Sequence, residues 1–400
     1  MKLSKTKTCY FHFTRMCIIL FAIFFAVSGC KKNADKPPIQ NDVIDINSSD
    51  AQLKKSVKQI KDFVQINLVA NNSEYPPARI DPVLINAWGL AFSPNGFAWI
   101  GAQGGHVSTV YNSEGGQVRP PVNIPSPGGA VGGNPTGVVF SGSTTDFILS
   151  NNQPARFLFV GVDGVLSGWN GAAGNNAILI KNNVATSAYT GLTLASNGGA
   201  NFLYAANFRA HRIDVFDNHF NSVSMPFTDP GLPPGYSPFN IQKVDNVLFV
   251  MYAKVGANGR SEEGLGKGYV DIYNTNGVFV KRFASNGPLD APWGITKAPA
   301  TFFGKEGEDD REAEDDEHQG AILIGNFGNG HINAYRSDGK FIGELAQHKS
   351  PLVIDGLWSI TFPPATATPA IDPNRLYFTA GPEEESEGLF GYIIRKPGKD

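Results

Sequence analysis

Short apolar runs dominate the chain, and beyond the first thirty residues they return in a fixed order. Trp88-Gly89-Leu90-Ala91-Phe92 is matched in form at 136–140, 190–194, 239–241, 293–296 and 358–362. With Gly89, Gly137, Gly191, Asn240, Gly294 and Ser359 as markers, the spacings are 48, 54, 49, 54 and 65 residues. A second apolar run follows each start, at 98–100, 157–160, 202–205, 247–250, 321–324 and 375–378. A third run often alternates, as at 107–111, 213–216, 269–273 and 332–335. Period-two alternation buries one face of a strand. Turns follow at Asn274-Thr275-Asn276-Gly277 and Ser337-Asp338-Gly339, where glycine supplies positive φ, and a fourth run begins at Phe279 or Phe341.

Four strands in a repeat of roughly 40–50 residues is the pattern of a β-propeller blade. The expected fold is all-β, a six-bladed β-propeller over residues 61–396. The sixth repeat shows only three strands, the last at 389–393, while 63–69 is an unassigned strand of suitable length. This N-terminal strand is predicted to complete the last blade, closing the ring and removing exposed edges.

The first residues follow another pattern. Lys2, Lys5, Lys7 and Arg15 precede an apolar run from Cys17 to Val27, shorter than the roughly 20 residues that span a bilayer. The run exits through Val27-Ser28-Gly29-Cys30, which resembles a bacterial lipobox. Residues 1–29 therefore read as a lipoprotein signal peptide, with Cys30 the lipidated N-terminus of the mature protein. The other cysteines, Cys9 and Cys17, leave with the signal. Residues 30–60 read as a flexible tether with a short helix near 51–60. The expected location is the bacterial cell envelope, lipid-anchored, on a periplasmic or cell-surface face. Lys31 rather than Asp after Cys30 favours the outer membrane.

Composition agrees with many short strands and tight turns: 45 Gly among 400 residues, 11% aromatic and only 17% charged. The net charge of -3 excludes the basic balance of a nucleic-acid binder. That average conceals an acidic insert, 305–318, with nine acidic and two basic residues. It can collect calcium but lacks the Asp-x-Asp-x-Asp-Gly order of an EF-hand loop; its simplest reading is a solvated loop.

Several phrases resemble a family of uncharacterised secreted bacterial β-propeller proteins, some of which end in a PEP-CTERM-type sorting tail. They include Asn86-Ala87-Trp88-Gly89-Leu90, Gly264-Leu265-Gly266-Lys267-Gly268-Tyr269-Val270-Asp271, Gly325-Asn326-Phe327-Gly328-Asn329-Gly330 and Ile354-Asp355-Gly356-Leu357-Trp358. The resemblance covers about residues 64–394. The chain departs from it in its lipobox and in ending without such a tail. His211-Arg212-Ile213-Asp214-Val215-Phe216-Asp217 is also similar to the NHL repeat. The family resemblance implies the fold and no site residues.

Propellers bind ligands at one mouth of the channel, built from the loops entering each first strand and those between second and third strands. Candidate binding residues there are His106, Asn207, Arg209, His211, Asn326, Asn329, His331, Asp355 and Glu383. Three of the loops place a histidine in one phase, at 106, 211 and 331. Imidazole with amide or carboxylate oxygens can hold a metal; the same histidines can equally cap their loops. Trp88, Trp293 and Trp358 can form a platform for a sugar or wedge between sheets. Asp290, Glu384 and Glu385 fall near the same mouth, and the Gly-rich loop 254–267 can act as a lid. No catalytic residue is assigned. The favoured function is non-enzymatic binding of an envelope protein, glycan or small ligand. The alternative is a lactonase- or gluconolactonase-like hydrolase using a single divalent metal such as calcium, and a third reading is a subunit of a nutrient-uptake or assembly complex.

Overall fold

A computed structural model describes residues 58–304, 318–348 and 350–396. All belong to one compact unit, 54–400. The expected signal peptide, the lipidated Cys30, the tether up to residue 57 and the acidic insert, except His318, lie outside the described residues.

Six antiparallel sheets are arranged as a six-bladed β-propeller. Blade one is Ala87–Phe92, Ala98–Ala102, Val107–Tyr111 and Val122–Asn123, in that order across the sheet. Blades two to five repeat this order from first strands Pro135–Phe140, Tyr189–Asn197, Tyr236–Val244 and Pro292–Lys297. Blade six contains Leu357–Thr361, Leu376–Ala380 and Leu389–Arg395, and its fourth strand is the N-terminal Phe63–Ala70. That strand pairs antiparallel with Leu389–Arg395, from Phe63 opposite Arg395 to Ala70 opposite Leu389, as the sequence predicts. Gln59–Ile60, which the sequence places in the tether and near a short helix, instead adds a parallel strand to the edge of blade five at Glu344–Leu345. Blade five offers it an open edge, and an extended segment satisfies that edge as no helix can.

The core follows from stacking half-apolar sheets. Six buried clusters each lie between one pair of neighbouring blades, so every blade buries both faces only with its neighbours in place. A seventh cluster sits on the axis.

The repeat markers have a common structural role. In all six blades the first strand is bulged beside the marker, with register shifts at Thr136, Thr190, Phe239 and Trp293, each just before its marker, and across Trp88-Gly89 and Trp358-Ser359. A bulge bends the strand and re-aims its backbone. Here it brings each first strand against the next. A Cβ on Gly137 would lie 2.6 Å from Leu192 N, and one on Gly294 would lie 2.7 Å from Trp358 O. A Cβ on Gly191 would overlap the Asn240 amide. Asn240 carries the contact onward by donating to Trp293 O at 2.8 Å. Thr379 completes the circle, donating to Trp88 O from blade six to blade one.

Gly191→Ala is therefore expected to destabilise the protein by about 1–3 kcal/mol through overpacking. Gly128→Ala, in open space, should change stability by less than about 0.5 kcal/mol. Urea denaturation of the two variants checks this; equal midpoints would contradict the axial pinch.

Candidate functional site at the channel mouth

The loops entering the first strands and those joining second to third strands meet at one end of the channel. Aromatic side chains close the channel beneath them. Trp88 stacks on Trp358 with ring centroids 3.6 Å apart, and Phe327 covers the ring system of Trp358 at 4.0 Å. Trp293 packs edge-on to Trp358 at 5.8 Å. Its indole N–H donates to Thr190 O at 2.9 Å, joining blade five to blade three across the axis. All three tryptophans are at most 5% exposed. They form an axial plug on the channel axis rather than a wedge between neighbouring sheets, and Trp88 and Trp358 also line the space above it.

Above the plug lies a cavity of ≈ 460 Å³. Trp88, Trp358, Phe208 and Phe239 form its floor, and Gln103, Arg209, His211, Asn258, Arg260 and Glu385 contribute to its polar wall. A second cavity of ≈ 340 Å³ adjoins it, sharing Asn258, Arg260, Ser261 and Glu385 and adding Glu263, Asp355 and Glu384. A larger hollow of ≈ 610 Å³ lies on the flank of blade three, against Arg212–Phe216, where the fourth strand is only Ser222–Val223.

The wall between the two mouth cavities is an ion pair. The 254–267 segment forms a hairpin, with Lys254 opposite Glu262 and Val255 opposite Ser261. Gly256 N–H donates to Arg260 O at 2.7 Å, and Asn258 Oδ1 accepts from Arg260 N at 2.9 Å. At its base Asp290 accepts from Gly264 N at 2.7 Å. From this hairpin Arg260 Nη2 donates to Glu385 Oε1 of blade six at 2.6 Å. Asn86 Nδ2 donates to the other Glu385 oxygen at 2.8 Å and to Gln103 Oε1 at 3.0 Å, while Asn86 Oδ1 accepts from Trp358 Nε1 at 2.8 Å. Fully buried Asn86 thus ties the plug to the rim. Burial raises the Glu385 carboxyl above its usual pKa, against the opposing effects of Arg260 and Asn86. Burial, then the nearby carboxylates Asp290, Asp355, Glu385 and Glu384, raises Glu263.

The sequence candidates divide between the cavities and the loop framework. Arg209 and His211 line the main cavity, and Asp355 lines the second. His106 caps a loop through Nδ1 and Gly133 O, 3.0 Å apart. Asn207 accepts from Ala188 N and Ala210 N, both at 3.2 Å. Asn326 donates to Pro288 O at 2.7 Å and Asn329 at 3.0 Å, and Asn329 accepts from His331 N at 3.1 Å. His331 Nδ1 lies 2.8 Å from Glu344 Oε2. Glu383 is exposed, its N–H donating to Asp355 at 2.9 Å. The histidines are not in one phase. His106 and His211 hold the left-handed position before the third strand, at φ 61° and 54°; in blade five Gly330 holds it at φ 68°. Asn207 pairs with Arg212, and Asn326 N bonds His331 O, so His331 is one step further along. Among the described residues, no three His, Cys, Asp or Glu side chains gather as a metal site.

The most perturbed carboxylate lies elsewhere. Complete burial, opposed by Arg282 and aided by Asp229, pushes Asp271 up to about 7. Arg282 bonds both aspartates and so fastens the connector into blade four to that blade's outer strands. The sequence sets Gln103 beside the loop histidines and Arg260 in the Gly-rich loop, but shows neither this network nor the Asn86 and Glu385 bonds that join those residues at the mouth. The resembling phrase that begins at Asn86 was the available signal for that residue.

No family model matches the chain. Uncharacterised protein L690 of Acanthamoeba polyphaga mimivirus is 30% identical over 346 residues, spanning 83% of this chain and 86% of that protein. The chain belongs to the same family as L690. Solved structures of similar architecture include the GH93 α-L-arabinofuranosidase of Fusarium graminearum with arabinobiose, at 10% identity and TM-score 0.48, covering 83% of this chain and 97% of that one. A streptogramin B lyase is 13% identical with TM-score 0.46, covering 84% of this chain and 97% of that chain.

The Glu385 pair gives a pH-dependent expectation. The folded-state pKa of Glu385 is raised above the reference 4.5, so ionising it costs stability as pH rises through the folded value. Arg260 offsets that cost only when Glu385 is charged. Arg260→Ala should therefore cost up to about 1 kcal/mol near neutral pH and less below pH 4.5. Denaturation of both proteins at pH 4 and 7.5 checks the difference; an equal loss at both would contradict it.

Proposed function

We propose that the protein is an exported, lipid-anchored propeller that binds a small ligand at the channel mouth without transforming it. The ≈ 460 Å³ cavity carries this reading. Its size falls within the range of small-molecule sites, and its apolar floor with a few polar wall groups has their usual construction. The plug beneath is braced from several blades, so the floor is preformed and binding need not order it. The carboxylate in its wall, Glu385, already accepts from Arg260 and Asn86. That engagement supports a structural role over service as a general acid or base.

The lipobox at Val27-Ser28-Gly29-Cys30 and the resemblance to secreted bacterial propellers support an envelope location. A diacylated cysteine supplies two chains, enough for stable anchoring.

Two measurements test this reading. In a bacterial host the wild-type protein should fractionate with membranes and incorporate labelled fatty acid, and Cys30→Ala should do neither; an unchanged distribution would remove the anchor. A thermal-shift screen of small sugars, organic acids and aromatics should give hits that are lost in Ala188→Trp and Ser261→Trp, which fill the cavity. An absence of cavity-dependent hits of any charge would remove the binding reading.

A further inference from the structure

The polar atoms of the main cavity are unevenly committed. Its acceptors are taken: Glu385 by Arg260 and Asn86, Gln103 Oε1 by Asn86, and Asn258 Oδ1 by Arg260 N. Its donors are not. Arg209 uses Nη1 on Val184 O at 2.9 Å, and no carboxylate among the described residues pairs with it. Trp88 Nε1 has no partner, although Trp88 is 5% exposed and lines the cavity. His211, exposed beside Arg209, lines the same space. A buried N–H without an acceptor is costly, and an arginine without a counter-charge draws an anion.

We infer that the cavity takes a small ring-bearing organic anion. The ring or apolar body packs over the aromatic floor. Its carboxylate or phosphate meets the guanidinium of Arg209, with His211 beside it and Arg260 as a second cation. Arg260 is held by Glu385, so an anion entering near it competes with that carboxylate; ligand binding and the state of the ion pair are coupled. Neutral ligands of the same shape leave the positive charge of Arg209 unanswered. This inference rests on the mouth cavity being the binding site and adds the charge of what enters it.

The test pairs ligands that differ mainly in charge. Full-length purified protein is titrated by calorimetry with benzoate and benzamide, D-glucuronate and D-glucose, and phenyl phosphate and phenol, while tryptophan emission reports the floor. At least one anion is expected to bind at least about tenfold more tightly than its neutral partner, a preference that weakens with salt. Arg209→Ala is expected to reduce that affinity at least about tenfold, with Arg209→Lys recovering part of it. Arg209 is exposed, so these variants should keep the wild-type melting temperature. The carboxylate and phosphate arms decide between the two anionic groups. Equal binding of neutral partners, or an Arg209→Ala variant that binds the anion as wild type does, would overturn the inference while leaving the cavity as a binding site. No binding by any of the six compounds would also overturn it, and the broader screen with cavity-filling variants then decides whether the binding reading survives.

Discussion

The close approach of six bulged first strands around one axis is the constraint on which the rest of this structure depends. Each strand meets the next where a side chain has almost no room, and the chain answers with glycine in four blades. Asn240 and Thr379 carry the contact onward by hydrogen bonds that reach the next blade's backbone. Once the inner strands are fixed, the outward fan of each sheet follows from strand twist, and the apolar faces of neighbouring blades meet in six separate clusters. Because the ring is closed by Phe63–Ala70, an N-terminal strand and the last strand share one sheet. Loosening either end would expose the faces of blade six and weaken two inter-blade cores together.

The same closure makes the mouth. Bulged strands tip their starting residues toward the axis, so the tryptophans beside the markers converge and fill it. Trp293 and Trp358 satisfy their indole N–H groups on Thr190 O and Asn86, and Asn86 hands the support to Gln103 and Glu385 at the rim. The floor and the Arg260–Glu385 partition are thereby parts of one hydrogen-bonded assembly.

Different parts of this arrangement were legible to different degrees. The blade count could be read because bulge and pinch impose the same local requirement six times, leaving a marker at each repeat. The closing strand was readable by elimination, since one apolar segment lacked a partner and one blade lacked a strand. The three loop histidines do not share one phase. Counting along loops cannot tell that Gly330 takes the left-handed position held by His106 and His211 elsewhere; only strand register shows it. The Arg260–Glu385 pair joins residues 125 positions apart on different blades, and neither lies in a motif. The tryptophans were recognised as a set, but whether they faced a ligand, a sheet or one another depended on how far the first strands tip inward.

The sequence by itself determined the repeat, its four-strand period, the number of blades and the end of the channel at which loops gather. These follow from alternation, turn chemistry and volume, which act between residues close in the chain. The tertiary structure decided which polar groups at that mouth remain uncommitted. Loop residues such as Asn207, Asn326 and His106 spend their hydrogen bonds on backbone groups that only folding brings near, whereas Trp88 keeps its indole N–H unspent and Arg209, bonded once to Val184 O, meets no carboxylate among the described residues. That division depends on partners supplied from other blades, and no local pattern in the chain records it.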